Sequence, residues 1–357
     1  MRLFPLLIAL VHCSERIVIT NMEPRETRGH EPVFTSGSSF VNTRVPGKCG
    51  WGDSPLCFML VTLEHGGNCS LSTPSYGSCG YAEGRILTHV TSDLSSGYWG
   101  HAVELLPGAV RPKGAYSRPH LAYNPTTRAY ALWVSYRPPA SSAAHFLTAT
   151  CASEACPDAP FTVASTQAAT AQPTAGTGGA LFVEEDGGAA YLAHCLSASA
   201  GGGLQVQRLR SPDWAAAEAG QGAASSPLHL PGQPGCEAPA MFKRRGVYYV
   251  LFGAACSYCA GGTETHAFAA QQPLGPYSYA GSLGNVAAAQ MDGVLAHGDV
   301  DGVLWMGSVW GKGYGGLDRT PAHWASLEFY AEEAAAGLPW VRPMVFYESF
   351  ALSVHTP

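Results

Sequence analysis

The sequence predicts an all-β fold, and three observations carry that reading. Charged residues are only 13% of the 357, while glycine numbers 42 and proline 26, a composition suited to short strands joined by many turns. The apolar segments are short, rich in β-branched and aromatic residues, and bounded by Gly, Pro or Asp, which is the pattern of buried strands. One kind of unit also recurs along the chain: a turn, then a strand carrying aromatics.

That unit occurs five times, as Phe58-Met59-Leu60-Val61, Tyr130-Ala131-Leu132-Trp133-Val134, Tyr191-Leu192-Ala193, Val247-Tyr248-Tyr249-Val250-Leu251-Phe252 and Val303-Leu304-Trp305-Met306. From Phe58 through Tyr130, Tyr191 and Tyr248 to Leu304 the intervals are 72, 61, 57 and 56 residues. Five similar units with room for four strands each predict a five-bladed β-propeller. Closing the ring removes exposed sheet edges. Between these strands, Ser92-Asp93-Leu94 with Trp99 resembles Ser211-Pro212-Asp213-Trp214, as a blade turn used twice. The Ala/Gly/Ser/Thr-rich stretches 164–179 and 197–203 read as loops, and 328–337 as at most a short helical turn. No linker divides the chain, so 16–357 is expected to form one propeller domain.

Residues 1–15 open with one early positive charge and an apolar run to Val11, which reads as a secretion signal and gives an extracellular protein. Of 11 cysteines, Cys13 lies near the expected cleavage region. The other ten fit disulfides in an exported chain, and spacing does not fix their pairing. Asn68-Cys69-Ser70 is a glycosylation sequon, consistent with export. Net charge is -6 with no basic stripe, which argues against nucleic acid as a partner. No apolar run reaches the roughly 18 residues of a spanning helix, so no membrane span is expected.

Glu237 is the first candidate for chemistry. It lies between Cys236 and Ala238-Pro239-Ala240, with no cation within four residues. A carboxylate among small apolar groups tends toward a raised pKa, as a general acid requires, although a solvent-facing turn glutamate would look the same. Cys256-Ser257-Tyr258-Cys259, with His266 and Cys236, has the spacing of a zinc site. Disulfide or packing roles are preferred there, and no metal or cofactor is expected. Glu184-Glu185-Asp186 reads as a tight hairpin turn. His297 is a weak candidate.

Five pieces together resemble glycoside hydrolase family 43. They are Arg118-Pro119-His120-Leu121-Ala122-Tyr123-Asn124-Pro125 leading to Tyr130–Val134, Leu181-Phe182-Val183 leading to Tyr191, Glu237-Ala238-Pro239-Ala240-Met241-Phe242-Lys243 with Tyr248-Tyr249, Leu274-Gly275-Pro276-Tyr277, and Gln290 ahead of Trp305–Trp310. The resemblance runs from about Glu23 to the C-terminus. It implies a five-bladed propeller and an inverting O-glycosyl hydrolase acting on arabinose-, xylose- or galactose-containing polysaccharide. Three carboxylates would work at its centre: a base, a residue tuning the acid, and a general acid in a Glu-Ala-Pro motif. Glu237 matches the acid. The other two positions depart from the pattern. The first-blade turn reads Thr35-Ser36-Gly37, and the third-blade turn reads Gly176-Thr177-Gly178-Gly179. Resemblance to a galactan-cleaving subgroup implies a glutamine from a later blade in place of the usual base, and Gln290 matches it. That subgroup has a Glu before Arg-Pro, where this chain has Ser117. Asp292 or Glu31, acting from a shifted position, is the other candidate for the missing base. The resemblance also implies sugar-binding or site-shaping roles for Arg118 and His120, and Trp310, with Trp51, is a candidate stacking platform. The alternative to hydrolysis is a carbohydrate-binding propeller without activity.

Overall fold

We describe the protein from a computed structural model. It describes residues 14–20, 26–27, 39–40, 58–64, 84–91, 94–95, 98–100, 102–139, 141, 143–153, 155–230, 235–254, 262–285, 289–296, 302–309, 322–333, 338–347 and 349–355. Among these, strands dominate, and the only helical element is a single 3-10 turn at Ala198–Ala200.

Strands are numbered along the chain. β1 (Ser14–Thr20) pairs with the last strand, and β2 (Glu26–Thr27) runs parallel to β6 (Tyr98–Trp99). Blade 1 has the order β3 (Ser39–Phe40), β4 (Phe58–Glu64), β5 (Arg85–Thr91), β7 (Val103–Glu104). Blade 2 is β8 (Ala115–Asn124), β9 (Ala129–Arg137), β10 (His145–Cys151), β11 (Thr162–Ser165). Blade 3 is β12 (Thr174–Val183), β13 (Ala190–Leu196) and β14 (Leu204–Arg208). Isolated bridges from Ala217, Ala224 and Leu228 stand in for its fourth strand. Blade 4 is β15 (Glu237–Arg244), β16 (Val247–Gly253), β17 (Thr265–Ala270), β18 (Ser278–Gly284). Blade 5 is β19 (Ala289–Ala296), β20 (Val303–Val309) and β21 (Ala322–Leu327). A hairpin of β22 (Phe329–Glu333) and β23 (Pro339–Val341) packs on the outer strands of blade 4, and β24 (Ser349–His355) closes onto β1.

The five aromatic units are therefore the second strands of the five blades: β4, β9, β13, β16 and β20. Each is buried on both faces, because each blade packs between two neighbours. Five hydrophobic clusters follow, one per seam. Met59, Val61 and Leu132 lie between blades 1 and 2, and Trp133, Phe146 and Leu192 between 2 and 3. Tyr191, Val250 and Phe252 join blades 3 and 4. Tyr249, Leu251 and Trp305 join 4 and 5, while Leu304, Trp324, Phe58 and Leu60 close 5 onto 1. Fully burying one such aliphatic or aromatic side chain contributes about 1.5–3 kcal/mol. The innermost strands β3, β8, β12, β15 and β19 pack one against the next, and β19 packs on β3, so they enclose the axis.

Two segments expected to be irregular contain strand in part. The stretch 164–179 contains the start of β12, because the inner strand of blade 3 needs small residues there. A Cβ at Gly179 would lie 2.9 Å from Leu192 and 3.0 Å from Phe146. The stretch 328–337 begins with β22, which runs to Glu333, and 334–337 lie outside the described residues. Phe329 packs edge-on to Tyr249 and Phe242 under the Arg244 guanidinium, which ties it to blade 4. The Glu184–Asp186 run is the tight turn expected, with Gly187 N–H donating to the Glu184 carbonyl and Gly188 N–H to Asp186 Oδ1.

Candidate active site

The inner strands share a device near the end where the candidate residues gather. In β15, Glu237 pairs with Gly253 but Ala240 pairs with Leu251, so Ala238 and Pro239 bulge opposite one residue. In β8, Ser117 pairs with Ser135 but His120 pairs with Trp133, so Arg118 and Pro119 do the same. Ala238 and Arg118 both have left-handed backbone, with φ of 54° and 49°. Such conformations cost on the order of 1–3 kcal/mol and recur where a strand re-aims a side chain. The residue ahead of the bulge is Glu237 in blade 4 and Ser117 in blade 2. In β19 the extra residue is Asp292, between pairs formed by Met291 and Gly293.

Glu237 and Gln290, 53 residues apart in sequence, meet. Gln290 Nε2 donates to Glu237 Oε2 at 2.7 Å, with both residues buried. Two local features fix Glu237. The Cys195–Cys236 disulfide ties the preceding residue to β13 of blade 3. Opposite, Gly253 leaves room that Thr263 occupies, since a Cβ there would sit 2.7 Å from the Thr263 methyl. Gly307 does the same for Gln290: a Cβ would lie 2.8 Å from the Gln290 carbonyl oxygen and closer still to the Trp305 ring.

Arg118 reaches from blade 2 to blade 5. Its Nη1 donates to the Met291 carbonyl at 3.2 Å and lies 3.8 Å from Asp292 Oδ1. Asp292 Oδ2 accepts a hydrogen bond from Ser308 Oγ. Blades 2 and 5 are not neighbours, so this contact spans the axis. On its way the arginine passes over Gly178, where a Cβ would lie 2.5 Å from Arg118 Cδ. The third-blade turn therefore lacks more than a carboxylate, because Arg118 fills the space a side chain at 178 would need. His120, one position past the same bulge, is buried. Burial, with the Arg118 charge beside it, pushes its imidazole down to about 3, so it is neutral.

The structure thus brings together Glu237, Gln290, Arg118 and Asp292 around the axis, with His120 beside Arg118. Trp310, Trp51, Glu31, the 35–37 turn, His297, Cys256 and Cys259 lie outside the described residues. Cys236, one of the four conceivable zinc ligands, is instead joined to Cys195. His266 Nδ1 is within hydrogen-bond distance of Tyr279 Oη, at 3.2 Å. Among the described residues no cluster of three or more His, Cys, Asp or Glu could hold a metal ion. The Arg118–Gly178 relation and the Ser308–Asp292 bond were not foreseen. Only the run of glycines at 176–179 hinted that something large lay nearby.

The fold is that of known galactan-cleaving propellers. An exo-β-1,3-galactanase from Clostridium thermocellum superposes with a TM-score of 0.65 at 15% identity, covering 94% of this chain and 67% of that one. A family GH43 β-1,3-galactosidase solved with galactodeoxynojirimycin gives 0.61 at 15% identity, covering 92% and 99%. An exo-β-1,3-galactanase from Phanerochaete chrysosporium, solved with galactose, gives 0.63 at 16% identity, covering 91% and 66%. The chain thus spans about two thirds of the length of two of these structures and nearly all of the third. No family model and no curated protein sequence matches the chain. The resemblance read from the motifs is met at the level of the fold.

Proposed function

We propose that this chain is a secreted glycoside hydrolase acting on O-glycosyl bonds of galactose-containing polysaccharide with inversion. Glu237 serves as general acid and Gln290 orients the attacking water. The observation that carries the reading is the buried 2.7 Å contact between Glu237 and Gln290 at the axis of the ring. The names of the superposed structures, galactanases and galactosidases, direct the choice of sugar. Two disulfides, Cys151–Cys156 and Cys195–Cys236, fit an oxidising compartment.

The chemistry follows from the geometry. The Gln290 amide donates to Glu237 Oε2, and the Glu237 carboxyl delivers its proton to the leaving oxygen. Inversion places the acid and the group activating water about 6.5–9.5 Å apart, with the sugar between them. The two side chains touch in the free protein, so productive binding separates them. Gln290 rotates about its side-chain torsions, and its carbonyl oxygen accepts from the water. Catalytic contacts commonly rearrange in this way between free and bound states. As the water bonds to the anomeric carbon and the bond to the leaving oxygen breaks, the water's proton passes to bulk water, because glutamine orients a water well but accepts a proton poorly.

The second reading is sugar binding without hydrolysis. One observation favours it: the third-blade turn carries no carboxylate, and Arg118 takes its space. One assay decides. Galactose release from β-1,3-galacto-oligosaccharides, with aryl galactoside, arabinoside and xyloside for comparison, is measured for wild type and Glu237→Gln. The hydrolase reading expects release that falls about 10²–10⁴-fold in the variant. Release unaffected by the substitution removes Glu237 from the mechanism. Binding of oligosaccharide without release establishes the second reading.

A further inference from the structure

Only two acidic residues are buried among those described, Glu237 and Asp292. The mechanism above gives Asp292 nothing to do, although its side chain is wholly enclosed. An enclosed carboxylate is costly unless it is paired and hydrogen-bonded. Here Ser308 satisfies one oxygen, and the other faces Arg118, which comes from the far side of the axis.

The arginine is the informative partner. Its backbone is held in the left-handed region, its stem fills the room over Gly178, and its Nη1 is anchored by the Met291 carbonyl and Asp292. A guanidinium carries five N–H donors in a planar fork. The Nε and Nη2 donors of Arg118 take no partner among the described residues. Met291 and Asp292, which Arg118 contacts, follow Gln290 directly along β19, the strand that also meets Glu237. A guanidinium anchored at one atom keeps a planar pair of donors suited to two adjacent oxygens.

We propose that Asp292, steadied by Ser308, is a positioning residue. It holds Arg118 across the axis so that the Nε–Nη2 edge receives two neighbouring hydroxyl oxygens of the bound sugar. This rests on the glycoside hydrolase reading and adds a requirement for a vicinal diol in the sugar at the axis. The contact is made equally in ground and transition state, so its loss raises KM and leaves kcat.

The test uses the full chain and β-1,3-galactobiose. Asp292→Asn is expected to raise KM about tenfold or more while kcat stays within about threefold. Arg118→Ala loses binding likewise, and millimolar guanidinium restores part of it only while Asp292 is present. In Arg118→Ala/Asp292→Asn guanidinium restores nothing. Circular dichroism and thermal unfolding check each fold. Should Asp292→Asn fail to fold, Ser308→Ala provides the same KM reading in milder form, and the rescue of Arg118→Ala still reports on Asp292. The proposal is overturned by an unchanged KM in Asp292→Asn, by a fall in kcat alone, or by guanidinium rescue that ignores Asp292. A wild type that neither cleaves nor binds the disaccharide overturns the hydrolase reading and this proposal with it. An active wild type with an indifferent Asp292→Asn overturns the proposal alone.

Discussion

Among the described residues, three histidines held neutral by burial make the fold less stable in acid. Burial pushes His89 and His194 down to about 4, and His120 to about 3. An unfolded chain protonates histidine near 6.5. Above that value both states are neutral and these groups leave stability unchanged. Below it the unfolded chain takes up protons that the folded chain refuses, so stability falls as pH drops from 6.5 toward 4. Each histidine contributes a slope of about 1.4 kcal/mol per pH unit over that window. Urea unfolding measured across it is expected to show this decline. His194→Gln should remove one proton from the slope, about a third of the part these three histidines supply. An identical slope in the variant shows that His194 is protonated in the folded protein.

At the scale of strands, the bulges and the glycines opposite them place the site. Glu237 was legible because an acid among small apolar residues stands out locally. Gln290 was legible only through resemblance, since nothing near it in sequence announces a partner 53 residues away. Arg118 reads as an ordinary turn cation until β8, β12 and β19 meet. The disulfide pairing was equally hidden: Cys195 is one of ten similar cysteines until β13 lies beside the entry to β15. That bond closes a 41-residue separation. Chain entropy gives such a crosslink about 4 kcal/mol. Replacing both cysteines by alanine is expected to lower the urea midpoint accordingly and to reduce turnover more than KM, because Cys236 holds the neighbouring acid. A double variant with wild-type stability shows that the blade seam alone fixes this strand.

At the scale of the molecule, the ring was the most legible feature. The second strand of every blade is enclosed on both faces, so its sequence is almost purely apolar, and five such runs at near-regular spacing count the blades. Outer strands face solvent on one side and are short, as with β7 and β11, so they leave little trace. The Gly- and Ala-rich opening of β12 was hidden for the opposite reason, since crowding at the axis demands small residues that mimic a loop. β1 pairs with β24 along its whole length. Deleting 349–355 should leave β1 without its partner and expose strand edges, lowering the thermal midpoint and promoting association, as read by scanning calorimetry and light scattering. A truncated protein that stays monomeric with an unchanged midpoint shows that blade 5 closes on blade 1 without the terminal pair.

The close passage of Arg118 over Gly178 also constrains how this sequence can change. The two positions are 60 residues apart and belong to different blades, yet they share one volume. A carboxylate cannot be introduced at 178 by a single tolerated substitution while the guanidinium is there. Position 118 has to shrink first, and a shortened residue there surrenders the bridge to Asp292. The route from this axial arrangement to a three-carboxylate one therefore passes through a protein with neither the bridge nor the new acid.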